Sequence, residues 1–388
     1  MNFDSAISLK TSAETILQDL KSQLNNGYDL GIIFVTHNDL SIIKEIADGL
    51  RKENSFRHLL GCTCAGIIGS QDEVESRPAV SLIAARLPEV KITPFVLKQA
   101  QLESLRSKEA WYDYFDVYPG ENPAFFALPD PFMIDMNRFL ESINTVYPNA
   151  PIIGGLASAA REPNGNTLVL NDEFLEDGLV GAVLTGNINV ETIVSQGCRP
   201  IGETYIITRA EENVIFELAG KPFVDVLKVV FDGLSSRDRL LAQEAIFVGI
   251  AMNEYKDAFK RGDFLIRAVI GLDPQKGAGA VADYVKTGQT LQFHLRDAQT
   301  ATEDLTELLK LQQLNNSNRK PKGALVFSCN GRGENLFQEK NHDIRIIQDH
   351  LGPVPAAGFF CAGEIGPIGG KNFLHGFTDS MALFYPKH

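Results

Sequence analysis

Long hydrophobic runs, basic stripes and paired cysteines are all missing from this chain of 388 residues. No apolar stretch reaches the roughly 20 residues that cross a bilayer as a helix. The most apolar segment, residues 264–272, is short and interrupted by Arg267. Residues 1–10 lack a basic region followed by an apolar one, so no signal peptide is read. The cysteines number five, odd and scattered, which suits free thiols in a reducing cytosol better than a disulfide scaffold. The expectation from these shortages is a cytoplasmic protein. Positive charge is also in deficit: 36 basic against 49 acidic side chains leave a formal net charge of −13. An anionic surface without a compensating basic stripe argues against nucleic acid and against anionic membranes as partners. What is present, 44% hydrophobic and 22% charged residues, is the balance of an ordinary globular protein long enough for two domains.

Along the chain the hydrophobic period alternates between helix and strand, which predicts an α/β fold with mixed sheets. Ala13, Ile16, Leu17, Leu20 and Leu24 stand at helical spacing, and Gly27 can end that helix. Residues 31–35 form a continuous apolar run rich in β-branched side chains, the mark of a strand buried on both faces. Thr36, His37, Asn38 and Asp39 supply a turn, and Leu40, Ile43, Ile46, Ala47 and Leu50 a second helix. A strand at 56–60 then enters the glycine-bounded elbow Gly61-Cys62-Thr63-Cys64-Ala65-Gly66, and a strand at 79–87 follows. The same order recurs with strand 123–128, helix 136–146, the elbow Gly154-Gly155-Leu156-Ala157-Ser158-Ala159 and strand 178–184. It recurs again with strand 323–327, a helix holding Ile344, Ile346 and Ile347, the elbow Gly358-Phe359-Phe360-Cys361-Ala362-Gly363 and strand 378–385. A fourth, weaker copy is expected to begin at 245–250. Matching glycines, cysteine and alanine in matching element order imply internal duplication. The strand–helix–strand–strand units are expected to form two related halves, domains 1–210 and 211–388, parted near residues 209–213.

Glycine weakens strand interiors, so an elbow that keeps it needs a reason. One reason is tight packing between duplicated units; the other is a cleft whose backbone N–H groups face a ligand. Several of these segments resemble the FIST family. The carriers are Gly154-Gly155-x-Ala157, residues 178–184, Ser195-Gln196-Gly197-Cys198-Arg199-Pro200, Ser328-Cys329-Asn330-Gly331-Arg332-Gly333, residues 358–367 and Leu374-His375-Gly376-Phe377-Thr378. The resemblance covers roughly residues 30–384 and takes in both the N-terminal and the C-terminal FIST regions. It implies an intracellular sensory role in signal transduction, a small-molecule ligand with an amino acid among the candidates, and a downstream signalling protein as second partner. Some relatives carry kinase, methyl-accepting or F-box parts, for which this chain reads as having no room.

The residues themselves offer three readings of a site. Arg332 stands between two glycines after a buried strand, so its guanidinium can reach a ligand carboxylate in bidentate fashion or pair internally with Glu364 or Asp343. With Glu364 for a ligand ammonium, and with Asn330, Cys361, Arg199, Cys62 and Cys64 nearby, these residues form the expected ligand-binding set in a cleft between the halves. In the second reading Cys361 is a thiol nucleophile with His375 and Glu364 as base and orienter, giving a hydrolase or transferase. In the third the elbows only pack, and the protein is an interaction scaffold. A zinc site from Cys62, Cys64, Cys329 and Cys361 would need the elbows to converge, because the C-x-C spacing is not that of a structural zinc knuckle. Phosphate-loop, dinucleotide, Gly-x-Ser-x-Gly and His-Glu-x-x-His patterns are absent, and neither cofactor nor resident metal is expected.

Overall fold

Residues 30–35 are apolar at every position, and all six are buried in the computed structural model, which describes residues 1–387 apart from 37, 38, 55, 257, 260, 261, 317 and 318. A strand with two apolar faces needs cover on both, and amphipathic helices provide it on one. Of the predicted turn at 36–39, His37 and Asn38 lie outside the described residues.

The first repeat runs β1 (Asn2–Ser8), α1 (Ala13–Gln23), β2 (Leu30–Val35), α2 (Leu40–Asn54), β3 (His58–Thr63), a hairpin of β4 (Gly66–Ile68) and β5 (Glu73–Glu75), and β6 (Val80–Arg86). Ser12 caps α1, its hydroxyl accepting from Thr15 N. β2 and β3 pair in parallel, β6 lies antiparallel on β2, and β1 antiparallel on β6. The second repeat keeps this order: β7 (Val90–Leu97), α3 (Gln99–Ser104), α4 (Lys108–Phe115), β8 (Ala124–Pro129), α5 (Met136–Val146), β9 (Ile152–Gly155), the hairpin β10 (Leu168–Leu170) and β11 (Glu173–Leu175), and β12 (Leu179–Gly186). Met136, Phe139, Leu140 and Ile143 make one buried stripe of α5. Each such side chain taken out of water contributes about 1.5–3 kcal/mol.

The third repeat opens with β13 (Asn189–Ser195) and is then interrupted. The interruption holds β14 (Cys198–Glu211), β15 (Val214–Leu218), β16 (Lys221–Pro222), α6 (Phe223–Asp232), α7 (Ser236–Glu244), β17 (Phe247–Ala251), β18 (Phe264–Asp273), β19 (Ala278–Val281) and β20 (Thr290–Arg296). The repeat resumes with α8 (Ala298–Asn315), β21 (Gly323–Cys329), the single-turn α9 (Glu334–Phe337), α10 (His342–Leu351), β22 (Ala356–Cys361), the hairpin β23 (Glu364–Ile368) and β24 (Lys371–His375), and β25 (Asp379–Tyr385). Again the two central strands are parallel and the last strand antiparallel.

The hairpins are exchanged. β10 of the second repeat adds to β3 of the first, β4 of the first adds to β22 of the third, and β23 of the third adds to β9 of the second. Each six-stranded sheet is therefore completed by another repeat, and the exchange closes into a ring. Three outer hydrophobic clusters lie under the helices, one per repeat: Ile16 and Ile43, Trp111 and Phe139, Leu305 and Ile347. A fourth is common to all three sheets, where the Phe327 ring lies 6.2 Å from that of Phe34 and 6.0 Å from that of Phe126, centroid to centroid.

Two compact units result: residues 1–194 with 305–388, and residues 195–304. In the second, the ladder β14-β20-β17-β18-β19-β15 closes on itself because β14 also pairs with β15. β17 is antiparallel to both its neighbours, β18 and β20, so the weaker fourth copy expected from 245–250 is not there. A short apolar run reads the same whether its strand lies in a parallel sheet or a barrel. Residues 209–213, the expected boundary, form the turn from β14 to β15 inside this unit. Among the described residues no helix is long and apolar enough to cross a membrane.

Candidate functional site

The parallel pair β21 and β22 directs its exit ends to one place, and the residues just beyond those ends carry the charge. Arg332 comes three residues after β21, in a turn where its N–H bonds Cys329 O at 2.8 Å. Its side chain is fully buried and grips Asp343 with both arms, Nε to Oδ2 at 2.7 Å and Nη2 to Oδ1 at 2.9 Å. Asp343 sits in the first turn of α10, where the helix dipole favours a carboxylate. Burial pushes its acid up, but the Arg332 charge and its hydrogen bonds outweigh that and hold it well below the usual range. His342 Nδ1 lies 2.9 Å from Asp343 Oδ1, and its ring stacks on Phe337 at 3.5 Å between centroids. The Arg332 guanidinium lies 5.2 Å from the same Phe337 ring. Gly333 closes the turn at φ +64, where an added Cβ would meet Glu75 Oε1 at 2.3 Å.

Three further carboxyl groups surround this pair. Glu364 opens β23 fully buried; its Oε2 accepts from Thr378 Oγ1 at 2.7 Å and Thr378 N at 3.1 Å. Asp379 opens β25, also fully buried. Glu73 arrives from the exchanged hairpin of the first repeat and accepts from Ile344 N at 2.7 Å. Burial pushes Glu364 up to about 8 against the opposing pull of Thr378. Asp379 is driven well above its ordinary value by burial, then by the charges of Asp343, Glu73 and Glu364, with Arg332 opposing. Burial and the Asp343 charge likewise raise Glu73. Four buried polar atoms here have no hydrogen-bond partner: Arg332 Nη1, Glu364 Oε1 and both oxygens of Asp379. Buried polar atoms are nearly always satisfied, so four orphans in one cluster call for an explanation.

Around this cluster the three elbows meet. Ser158 accepts from Ala65 N at 3.0 Å and donates to Phe360 O, tying the first and third repeats to the second. Cys62, Cys64 and Cys361 are buried beside one another and Cys329 is half-buried. Burial and the Glu364 charge push the Cys361 thiol well above its ordinary value, and its Sγ donates to Phe359 O at 3.4 Å. A thiolate nucleophile requires the opposite shift. His375 faces Glu364 across the β23–β24 ladder with Nε2 2.9 Å from Gly366 O, while the Glu364 side chain is bonded by Thr378 and Cys329. The thiols do converge, yet among the described residues no three His, Cys, Asp or Glu side chains are placed to hold a metal ion.

Of the residues singled out in the sequence, Arg332, Glu364, Cys361, Cys62 and Cys64 gather here. Asn330 is at the surface above them, its N–H bonded to Cys361 O at 2.9 Å. Arg199 belongs to the second compact unit, where Asp238 and Asp297 engage it. Sequence reasoning missed Asp379 and Glu73. For Asp379 there was a signal, a carboxylate opening the apolar run to Tyr385; for Glu73 there was none.

Comparison with known proteins adds the following. The FIST N domain matches residues 29–221 and the FIST C domain residues 224–367. An uncharacterized protein of Mycobacterium tuberculosis is 38% identical over 327 residues, 84% of this chain and 83% of its own. One from Mycobacterium bovis is 38% identical over 84% and 82%. One from Methanocaldococcus jannaschii is 22% identical over 53% and 44%. A solved cyanuric acid hydrolase aligns over 99% of each chain at 10% identity with a TM-score of 0.32, too low to carry any argument.

Proposed function

The chain belongs to the FIST family, with its N and C domains both present, and on that premise we propose that it is a sensory protein that binds a small polar ligand among Arg332, Glu364 and Asp379 and passes the signal to a downstream protein. The observation that supports this reading is the set of four orphaned polar atoms on three fully buried side chains. Leaving such atoms bare costs about 1–3 kcal/mol each, more for charged groups, unless a partner reaches them. Residues from both ends of the chain meet at the cluster, Glu73 through the exchanged hairpin and Glu364 through β23, so occupancy can bias how those strands sit. A small polar molecule, an amino acid among the candidates, has the donors and acceptors to fill it. The test is native mass spectrometry of gently purified protein, followed by denaturation and identification of what is released. A released small polar molecule at close to one per chain is expected. Protein at the mass of the bare chain, with no thermal shift from any of the twenty amino acids or simple amines, would overturn the reading.

A further inference from the structure

The orphaned atoms divide unequally, and the division selects a ligand class. Three are carboxyl oxygens, Glu364 Oε1 with Asp379 Oδ1 and Oδ2, all acceptors once the acids are ionised, and one is a donor, Arg332 Nη1. Arg332 has already committed Nε and Nη2 to Asp343, so its charge is matched within the protein. The Arg332 charge opposes the rise of Glu364, Asp379 and Glu73 without outweighing their burial. A ligand carboxylate would bring a further negative group into a buried site that already holds unmatched acids. A primary ammonium carries three N–H donors and no acceptor, which is the complement of three open carboxyl oxygens. A metal cation fits less well, because among the described residues no three ligating side chains converge as one would require. We propose that this site receives the primary ammonium of a small organic amine, with Asp379 as principal contact, Glu364 as second, and Arg332 Nη1 left for a ligand oxygen. This rests on the cluster being the ligand site.

A consequence for pH follows. The groups facing Asp379 are Asp343 with its partner His342 from α10, Arg332 from the turn after β21, Glu73 from β5 and Glu364 from β23. Burial holds Glu364 at about 8, so it keeps its proton at neutral pH, and it holds Asp379 well above its usual value, so that group keeps its proton to higher pH than an ordinary carboxyl. An ammonium favours the ionised acids, so binding expels protons. Affinity therefore rises with pH, by about tenfold per pH unit for each proton released.

The experiment is calorimetric titration of the full chain with ethanolamine, 1,4-diaminobutane and L-lysine, and with glycolate, succinate and L-glutamate. Each is run at pH 6, 7 and 8 in two buffers of different ionisation enthalpy. At least one amine is expected to bind, more tightly at each higher pH, with protons released to the buffer. Asp379→Asn, which keeps the shape and removes the charge, is expected to weaken the amine at least tenfold and flatten the pH slope; Glu364→Gln gives the same readout if the first variant does not fold. Binding of a carboxylate without an amine, or amine binding indifferent to pH and to both substitutions, would overturn the cation assignment while leaving the cluster a ligand site. If nothing binds and natively purified protein releases no small molecule, the ligand-site reading fails and the cation assignment with it.

Discussion

Arg332 and Asp343 show how one buried contact can serve two ends. Both are fully buried and joined by two charge-assisted hydrogen bonds, so neither can be removed without stranding the other. Losing one partner of such a pair costs about 3–5 kcal/mol, whereas replacing both with apolar side chains is often near neutral. Arg332→Leu and Asp343→Leu are each expected to destabilise the first compact unit by that amount in urea unfolding. The double variant should recover most of the loss. Costs that simply add in the double variant would show that the pair is not coupled. The pair thus fixes the turn after β21 and leaves Nη1, with its two N–H groups, without a partner.

The elbows belong to the scale of the element. Gly61, Gly154 and Gly358 occupy one position in the three repeats, each opposite the parallel neighbour at Ile33, Ala127 and Val326. An added Cβ would lie 2.2, 1.8 and 1.8 Å from the carbonyl oxygens of those residues, which belong to backbone and cannot swing aside. Alanine at Gly358 is expected to lower stability by about 1–3 kcal/mol or more, through overpacking. Alanine at Gly120, where nothing lies within 4 Å, is expected to be neutral or slightly stabilising. Equal melting temperatures for the two variants would mean that the strands part without cost. These glycines, and the helix–strand order around them, were legible because backbone clashes and hydrophobic periods are written locally. The exchange of hairpins was not, since residues 66–75 carry no sign of which sheet they join. For the same reason Arg332, Glu364 and Cys361 could be picked from their glycine neighbours, while Glu73, about 290 residues away from its companion Glu364, could not.

At the scale of the whole molecule, the interruption of the third repeat starts and ends in one place. Ser195 Oγ donates to Asp304 Oδ2 at 2.7 Å, and Gln196 N lies 3.1 Å from the same oxygen. Residues 196–303 should therefore be replaceable by a short Gly-Ser linker with the three-repeat unit still folding, as judged by circular dichroism and a cooperative melt. The excised piece, whose ladder closes on itself, should fold alone because a closed sheet has no edge to protect. Collapse of the shortened chain into an aggregate would show that the two units depend on each other. The ring of exchanged hairpins behaves differently, for it cannot be assembled in order of synthesis. Ile67 pairs with Phe359, so on a ribosome adding 5–20 residues per second the first hairpin waits roughly 15–60 seconds for its partner strand. The joint between β9 and β23 waits on the same late segment. Two of the three seams thus stay open until the last strands emerge, and a chain that stops short after α8 leaves the tunnel with β9 and the first hairpin bare.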